Sequence, residues 1–353
     1  MMFAKIVYPE NLSPEELDTY LANGWFRMRQ AIFTTHFLHF NKEFYSAVWL
    51  RVVLDDAVYD KKFHRLAKLN SGFQVKIKKD TAGAISAQHE SLYQDYRQSI
   101  SFDVSATLRE LLMGSEGNNR FNTYEVNIYD GSIMIAAGFF DLGKTSAAGI
   151  TCIYHPNYKK YSLGKYLMYL KMDFCKKQQL QYFYPGYIVP GYKAFDYKLD
   201  IGKSNLQYLQ LANLKWLQYK ATDTAPHPLR DMIIKLGDLE PVLEKKAIAA
   251  TLLFYQFFEA NLDPFYKGEG LIDFPVFMFC LPKENSRFYT LIVFDVCDGK
   301  YHLLQCSSVM NIGFQQRVPA VFDWGLLELE RELYVSSRPV DLANYLAGVV
   351  NEI

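Results

Sequence analysis

The chain is poor in cysteine, and the five it has, Cys152, Cys175, Cys280, Cys297 and Cys306, are an odd set with no C-x-x-C spacing. That argues against a disulfide framework and a cysteine-based zinc site, and a reducing cytoplasm is the expected setting. No apolar run reaches the roughly 18 residues that a membrane-spanning helix needs. The N-terminus, MMFAKIVYPENLSPEE, has neither a long apolar segment nor a small-residue cleavage site, so no signal peptide is expected. The seven histidines show no metal-ligand spacing. His36 and His39 lie three apart on an expected strand, which turns them to opposite sides. No Ser-His-Asp set, internal repeat or low-complexity segment is visible.

What is present is a large apolar inventory. Of 353 residues half are hydrophobic, with 26 Tyr and 26 Phe, enough for two or three domains. The net charge of zero hides a division. Residues 1–225 hold 27 Lys/Arg against 21 Asp/Glu, whereas residues 226–353 hold 11 against 17. Within the basic part, residues 61–79 carry seven bases and no acid, and residues 158–177 six bases and one acid. Such clusters suit a polyphosphate partner, although solvated lysine faces give the same pattern.

Local signals divide the chain further. Ser13-Pro14-Glu15-Glu16 reads as a capped helix start, ended by Asn23-Gly24. AIFTTHFLHF and YSAVWLRVVL read as two strands joined by Asn41-Lys42-Glu43. A basic helix over 61–69, a strand FQVKIKK and helices near 87–98 and 104–113 follow. Gly114 to Asn119 is the clearest linker. After it, Asp130-Gly131 predicts a hairpin between YEVNIY and SIMIAAGFFDLG. TSAAGITCIYHP is an expected strand, and YKKYSLGKYLMYLKMDFCKK an amphipathic helix with Leu163, Tyr166, Leu167, Leu170 and Phe174 on one face. QYFYPGYIVPGY reads as a strand broken at Pro185-Gly186 and Pro190-Gly191. Pro226-His227-Pro228 marks a second boundary, with a helix expected near 241–260, strands at VFMFCL, YTLIVFDV and YHLLQC, and a final helix near Val340. The expected fold class is α+β, in three parts: an N-terminal α/β region (1–115), a transferase domain on a mostly antiparallel mixed sheet (116–225) and an acidic C-terminal α+β unit (226–353).

The order of elements over 123–198 resembles a GNAT-type N-acyltransferase core. More narrowly, YHPNYKKYSLGKY and QLQYFYPGYIVPGYKAFDYK resemble the C-terminal domain of arginyl- and leucyl-tRNA–protein transferases. That family's signature runs approximately Y-D-P-x-Y-x-x-x-S-L-G-x-Y, then Y-x-G-Y-x-I-x-x-C-x-K-M-x-Y-K. Tyr154, Pro156, Tyr158, Ser162, Leu163, Gly164 and Tyr166 fit the first part. Tyr184, Gly186, Tyr187, Lys193, Tyr197 and Lys198 fit the second. NGWFRMRQAIFTTHF is similar to the family's G-W-R-R segment at Gly24, Trp25 and Arg27, and Arg51 aligns with an arginine of the next strand. The family's cysteine cluster has no counterpart, since no cysteine precedes Cys152, so no metal is expected.

The resemblance implies transfer of an amino acid from its tRNA ester to a protein N-terminal amine. An α-amine has a pKa of roughly 8, so a useful fraction is neutral near pH 7. The ester is already activated, so positioning and oxyanion donors suffice, with no covalent enzyme intermediate. Tyr187, Lys193 and Tyr197 are the candidate catalytic residues. Ser162, Leu163, Gly164, Lys165 and Tyr166 are expected to meet the aminoacyl-adenosine end at a helix start, with Trp25, Arg27, Tyr184, Tyr192 and Lys198 lining the same cleft. Bland readings stand beside these: Ser162 as a helix cap, the tyrosines as a packed sheet face, Arg27 lying on the Trp25 ring. Aminoacyl-tRNA and an acceptor protein or peptide N-terminus are the expected partners, with no cofactor and no membrane. Alternatives are a non-catalytic GNAT-like module that binds protein N-termini or RNA, and an acyl-CoA N-acetyltransferase, which the bulky Tyr166 disfavours.

Overall fold

The computed structural model describes residues 3–55, 59–79, 85–101, 104–220, 226–266, 270–280, 288–311 and 320–351. The boundary expected at 225 and Leu281 of the expected strand VFMFCL lie outside them. The first elements are β1 (Lys5–Val7), α1 (Pro14–Ala22), β2 (Phe26–Met28) and β3 (Ala31–Thr34), whose strands form a three-stranded sheet in the order β1-β3-β2. Ser13 Oγ accepts from the Glu16 N–H at 3.2 Å, and Glu16 Oε2 accepts from the Ser13 N–H at 2.8 Å, closing the expected capping box.

Each of the two long runs expected as single strands is split. The chain leaves β3 at Thr35-His36 before β4 (Phe37–Phe40), and β5 (Glu43–Ser46) is separated from β6 (Val48–Val53) by Ala47. Side chains make the break: Thr35 Oγ1 donates to the Phe37 carbonyl at 2.8 Å, and Trp49 Nε1 donates to the Thr35 carbonyl at 2.8 Å. β4 and β5 pair as a hairpin turned by Asn41 and Lys42, both with left-handed φ. His36 is buried in the break, not on a strand, and His39 stacks on Phe44 at 4.4 Å.

Next come α2 (Lys61–Leu69), β7 (Gln74–Lys79), α3 (Ala87–Gln98) and α4 (Leu108–Met113). The Asp130-Gly131 turn joins β8 (Thr123–Asp130) to β9 (Ile133–Leu142), followed by β10 (Ser146–Tyr154), α5 (Leu163–Lys177), β11 (Tyr182–Ile188), β12 (Leu206–Gln210) and β13 (Lys215–Gln218). These strands build an eight-stranded sheet in the order β13-β12-β6-β11-β10-β9-β8-β7. It draws β6 and β7 from before residue 115. All its pairs are antiparallel except β10 with β11. α5 covers one face, burying Leu163, Tyr166, Leu167 and Met172 against Val48, Leu50, Val52 and Phe183. The other face packs Trp49, Ala148 and Tyr184 against α1 and β3, and Ala137, Phe139 and Ile153 against α3 and α4.

The last region is α6 (Pro228–Glu244), β14 (Ala250–Tyr255), β15 (Val276–Cys280), β16 (Phe288–Asp295), β17 (Lys300–Asn311), β18 (Val321–Phe322), β19 (Gly325–Ser336) and α7 (Pro339–Asn351), with a six-stranded sheet ordered β18-β14-β15-β16-β17-β19. The helix expected near 241–260 is displaced. α6 starts at Pro228 because Leu229, Met232, Leu236, Leu239 and Leu243 form its buried stripe. ATLLFY pairs antiparallel with β15 instead of continuing it. The core of this region also takes Phe3 and Phe37 from the N-terminal segment.

Candidate active site

The eight-stranded sheet has a seam. β10 and β11 pair only at Ser146–Tyr182, Ala147–Phe183 and Ala148–Tyr184. Beyond those residues each strand follows its outer neighbour, β10 through an irregularity between Gly149 and Thr151 and β11 through one between Phe183 and Gly186. Local chemistry explains the parting. Pro185 has no N–H to give the ladder, and Gly186 takes φ 92°, a conformation that L side chains resist. Pro185-Gly186 is thus a bulge inside one strand, and the chain leaves β11 only at Val189-Pro190.

Two lysines hold carbonyl groups beside the opening. Lys171 of α5, fully buried, donates to the carbonyls of Thr151 at 2.8 Å and Phe139 at 2.9 Å. Lys198 donates to the Tyr187 carbonyl at 2.7 Å. Lys198 belongs to the 3-10 turn Lys193–Asp200, and its Nζ lies 5.2, 5.0 and 5.9 Å from the ring centroids of Tyr187, Phe195 and Tyr197. Burial lowers its pKa from the ordinary 10.5 to about 7, opposed in part by Cys152.

At one mouth of the seam stands the start of α5. Ser162 adopts left-handed φ, and its side chain makes no cap hydrogen bond, so the expected capping alternative does not hold. The N–H groups of Leu163, Gly164 and Lys165 have no partner among the described hydrogen bonds, leaving the positive end of the helix dipole open. A Cβ on Gly164 would sit 3.4 Å from the Tyr154 ring, and Tyr154 packs on Tyr96 at 5.5 Å. Lys165 lies at the rim, 3.4 Å from Asp200, which Lys62 and Lys203 also approach at 2.8 and 3.6 Å. Lys62 first, and then Lys165, hold the Asp200 carboxyl below its ordinary pKa against the effect of burial. Lysines from both basic clusters of the sequence therefore meet Lys203 at one acid. A hollow lined by Lys165, Asp196, Tyr197, Asp200 and Lys203 opens there, about 430 Å³ in volume. Tyr166 is turned into the core, so it neither faces this hollow nor crowds it.

Tyr187 sits on the opposite face of the sheet, edge-on to Trp49 at 4.9 Å and stacked on Phe195 at 5.5 Å. Burial, with the charge of Glu259 adding to it, pushes its hydroxyl up to about 12. Tyr197 is divided: 39 % of its surface is exposed, yet burial and the neighbouring Cys152 and Tyr96 raise its hydroxyl pKa. Lys193 is exposed. Tyr192 lies on the rim, against Phe40 at 5.0 Å and Tyr45 at 5.9 Å. The seam thus brings together Gly164, Lys165, Tyr187, Tyr197 and Lys198.

Three expected cleft residues are placed elsewhere. Tyr184 is buried between Phe26 and Trp216, at ring distances of 6.1 and 5.4 Å. Trp25 packs on Tyr20 at 5.8 Å. Arg27 is not on the Trp25 ring but over Phe121 at 4.3 Å, paired with buried Asp141 at 2.9 Å. Three further donors reach Thr123 Oγ1 and the carbonyls of Arg29 and Leu112, which holds the guanidinium in the interior. Arg51 likewise lies over Tyr182 at 4.1 Å and donates to Gln207. Conversely, Lys171, Asp200, Tyr96 and Cys152 surround the seam without having been singled out as site residues. Only Lys171 gave a signal, a lysine on the otherwise apolar face of α5.

Outside the seam, Asp295, Asp298 and His302 of the β16–β17 turn bring ligand-type atoms within 4.8 Å of one another. Both ring nitrogens of His302 are already bonded to carboxylates, Nδ1 to Glu332 at 2.6 Å and Nε2 to Asp298 at 3.1 Å. No helix among the described residues is long and apolar enough to cross a membrane.

Comparison with known proteins follows this geometry. The family model described as arginine-tRNA-protein transferase, C terminus, matches residues 88–208, from α3 to β12. An aspartate/glutamate leucyltransferase of Leptospira interrogans (serovar copenhageni, strain Fiocruz L1-130) is 25% identical over 197 residues, covering 54% of this chain and 74% of that protein. One from Vibrio cholerae (strain ATCC 39541) is 26% identical over 224 residues, 60% of this chain and 87% of that protein. Among solved structures, FemX aligns at 7% identity with a TM-score of 0.37, over 58% of this chain and 69% of that one. The stretch from α3 to β12 is thus similar to the C-terminal part of arginine-tRNA-protein transferases, and about half of the chain is similar to aspartate/glutamate leucyltransferases.

Proposed function

We propose that the chain moves an aminoacyl group from its tRNA ester to the α-amine of an acceptor protein by direct attack through the β10–β11 seam. The single observation that carries this is the parting of two parallel strands with the unpartnered N–H groups of α5 at its mouth. Such an opening between parallel strands is GNAT-like. The charged tRNA end enters on the α5 face, where Leu163, Gly164 and Lys165 offer N–H groups to phosphate or ester oxygens. Lys62, Lys165 and Lys203 outnumber Asp200, leaving positive charge for the acceptor-stem phosphates. The amine approaches from the Tyr187 face, so that the reactants meet within the sheet and entropy is lost before the chemical step. Near pH 7 a substantial fraction of Lys198 is neutral and can accept the proton that the attacking amine releases. Tyr197 is the acid closest to the doorway and protonates the departing ribose oxygen.

A leucyl donor with acceptors beginning in Asp or Glu is the first pair to try, being the one named for the relatives. The part carrying this chemistry is residues 3–218, because the sheet crosses residue 115, with 226–353 as an accessory unit. The test is to incubate the protein with leucyl- or arginyl-tRNA and peptides starting with Asp, Glu, Lys or Arg, and to follow peptide mass. A mass increase of one residue is expected. No product with any charged tRNA, or acetylation by acetyl-CoA alone, overturns the reading.

A further inference from the structure

The C-terminal region lies outside the stretch that the family model matches, yet it holds one side of a hairpin whose other side leans on the seam. β4 and β5 form a two-stranded ribbon, so alternate side chains leave it in opposite directions. On one side Phe44 stacks on Phe254 at 4.9 Å and lies 6.1 Å from buried Phe258. Ser46, two residues on and fully buried, accepts from the Leu229 N–H at 3.0 Å, which ties the same side to the first turn of α6. On the other side Phe40 and Tyr45 stack at 4.5 Å and meet Tyr192 at 5.0 and 5.9 Å.

Tyr192 opens the 3-10 turn that carries Lys198. It lies 5.9 Å from Phe195, which stacks on Tyr187 and stands 5.0 Å from Lys198 Nζ. Contacts therefore run without a gap from Phe254, through the hairpin, to the lysine. A 3-10 turn has poor hydrogen-bond geometry of its own, so its placement depends on what packs against it. Tyr187 of β11 and Tyr197 of the same turn face the ammonium, and Cys152 of β10 works against the effect of burial. Were Phe195 to withdraw, water would reach Nζ and the charged form would be favoured.

We propose that the C-terminal region positions Lys198 through the β4–β5 hairpin, with Phe44 as the anchor and Tyr45 as the strut that holds Tyr192 and Phe195 over the seam. The proposal takes its functional meaning from the transferase reading, in which Lys198 is the base, but its test needs no turnover. Lys198 is acetylated with acetic anhydride from about pH 5 to pH 10 and followed by peptide mass, with exposed Lys193 of the same turn as the internal reference. In the wild type the labelling midpoint of Lys198 is expected about two pH units or more below that of Lys193. Tyr45→Ala and Phe44→Ala should each raise the Lys198 midpoint by about one unit or more and leave Lys193 unchanged, whereas Tyr45→Phe, which keeps the ring, should retain the wild-type midpoint. Melting curves accompany each variant, and Phe44→Leu takes the place of Phe44→Ala if that chain loses its cooperative transition. A wild-type midpoint in Tyr45→Ala or in the folded Phe44 variant overturns the proposal, as do equal midpoints for Lys198 and Lys193 in the wild type. Absence of transfer from any charged tRNA overturns the transferase reading, and the labelling midpoints still decide whether the hairpin positions Lys198.

Discussion

Lys198 Nζ donates to the carbonyl of Tyr187 at 2.7 Å, and with Gly186 in place of a larger residue the ammonium comes within contact of the strand it serves. The bond joins the turn after β11 to β11 itself, at the height where β11 has left β10. A carbonyl freed by the parting of two strands is thereby satisfied by a side chain that also lines the opening.

Lys198 makes stability depend on pH with a definite sign. Folded, it gives up its proton at about 7, whereas the unfolded chain keeps it to the ordinary 10.5. Between those values the unfolded state binds more protons, so this lysine makes stability rise with pH across the window. Lys198→Met removes that slope. Urea unfolding at pH 6 and pH 9 checks it: the variant should compare more favourably with wild type at pH 6 than at pH 9.

Arg27 and Asp141 form a buried ion pair at 2.9 Å with exposures of 4% and 0%. Arg27→Met leaves the carboxylate without its cation and should cost about 3 to 5 kcal/mol. Thermal melts test this. A large change in KM for tRNA with unchanged melting would contradict the structural role and restore Arg27 to substrate binding.

Ser162 holds a left-handed backbone without capping α5. Ser162→Ala should therefore cost well under the ~1 kcal/mol typical of a lost cap, and Ser162→Gly should be neutral or stabilising. Gly164→Val, in contrast, places methyl groups against Tyr154 at the doorway. Transfer should fall by about tenfold or more while melting changes little.

Gly138 is closed by Lys171: an added Cβ would lie 2.8 Å from its Cε. Lys171 is fixed by two carbonyl hydrogen bonds, so Gly138→Ala should destabilise by about 1 to 3 kcal/mol. The loss should shrink on a Lys171→Met background, where the side chain is no longer pinned. A double-mutant cycle by chemical denaturation gives the coupling.

The sequence was most informative where local chemistry decides. The Ser13 cap, the Asp130-Gly131 turn and α5 all lie where residue spacing puts them. It misled where long-range pairing wins: Ala250–Tyr255 could extend a helix by hydrophobicity, but the edge of β15 takes it as a strand. The site divides in the same way. Gly164, Tyr187 and Lys198 carry motif signatures and do meet at the seam. Trp25 and Arg27 match a motif as well, yet Trp25 packs on Tyr20 and Arg27 is taken up by buried Asp141.

The buried carboxylate of Asp273 accepts the N–H groups of Phe3 and Ala4, and Phe3 lies against Phe37 and Phe274 at 5.2 and 5.1 Å. Cutting the chain before Pro226 would strip Phe3, Phe37 and Phe44 of their cover. The fragment aligned with the relatives would then present a sticky aromatic surface, so expression trials aimed at a minimal catalyst should retain the acidic tail region.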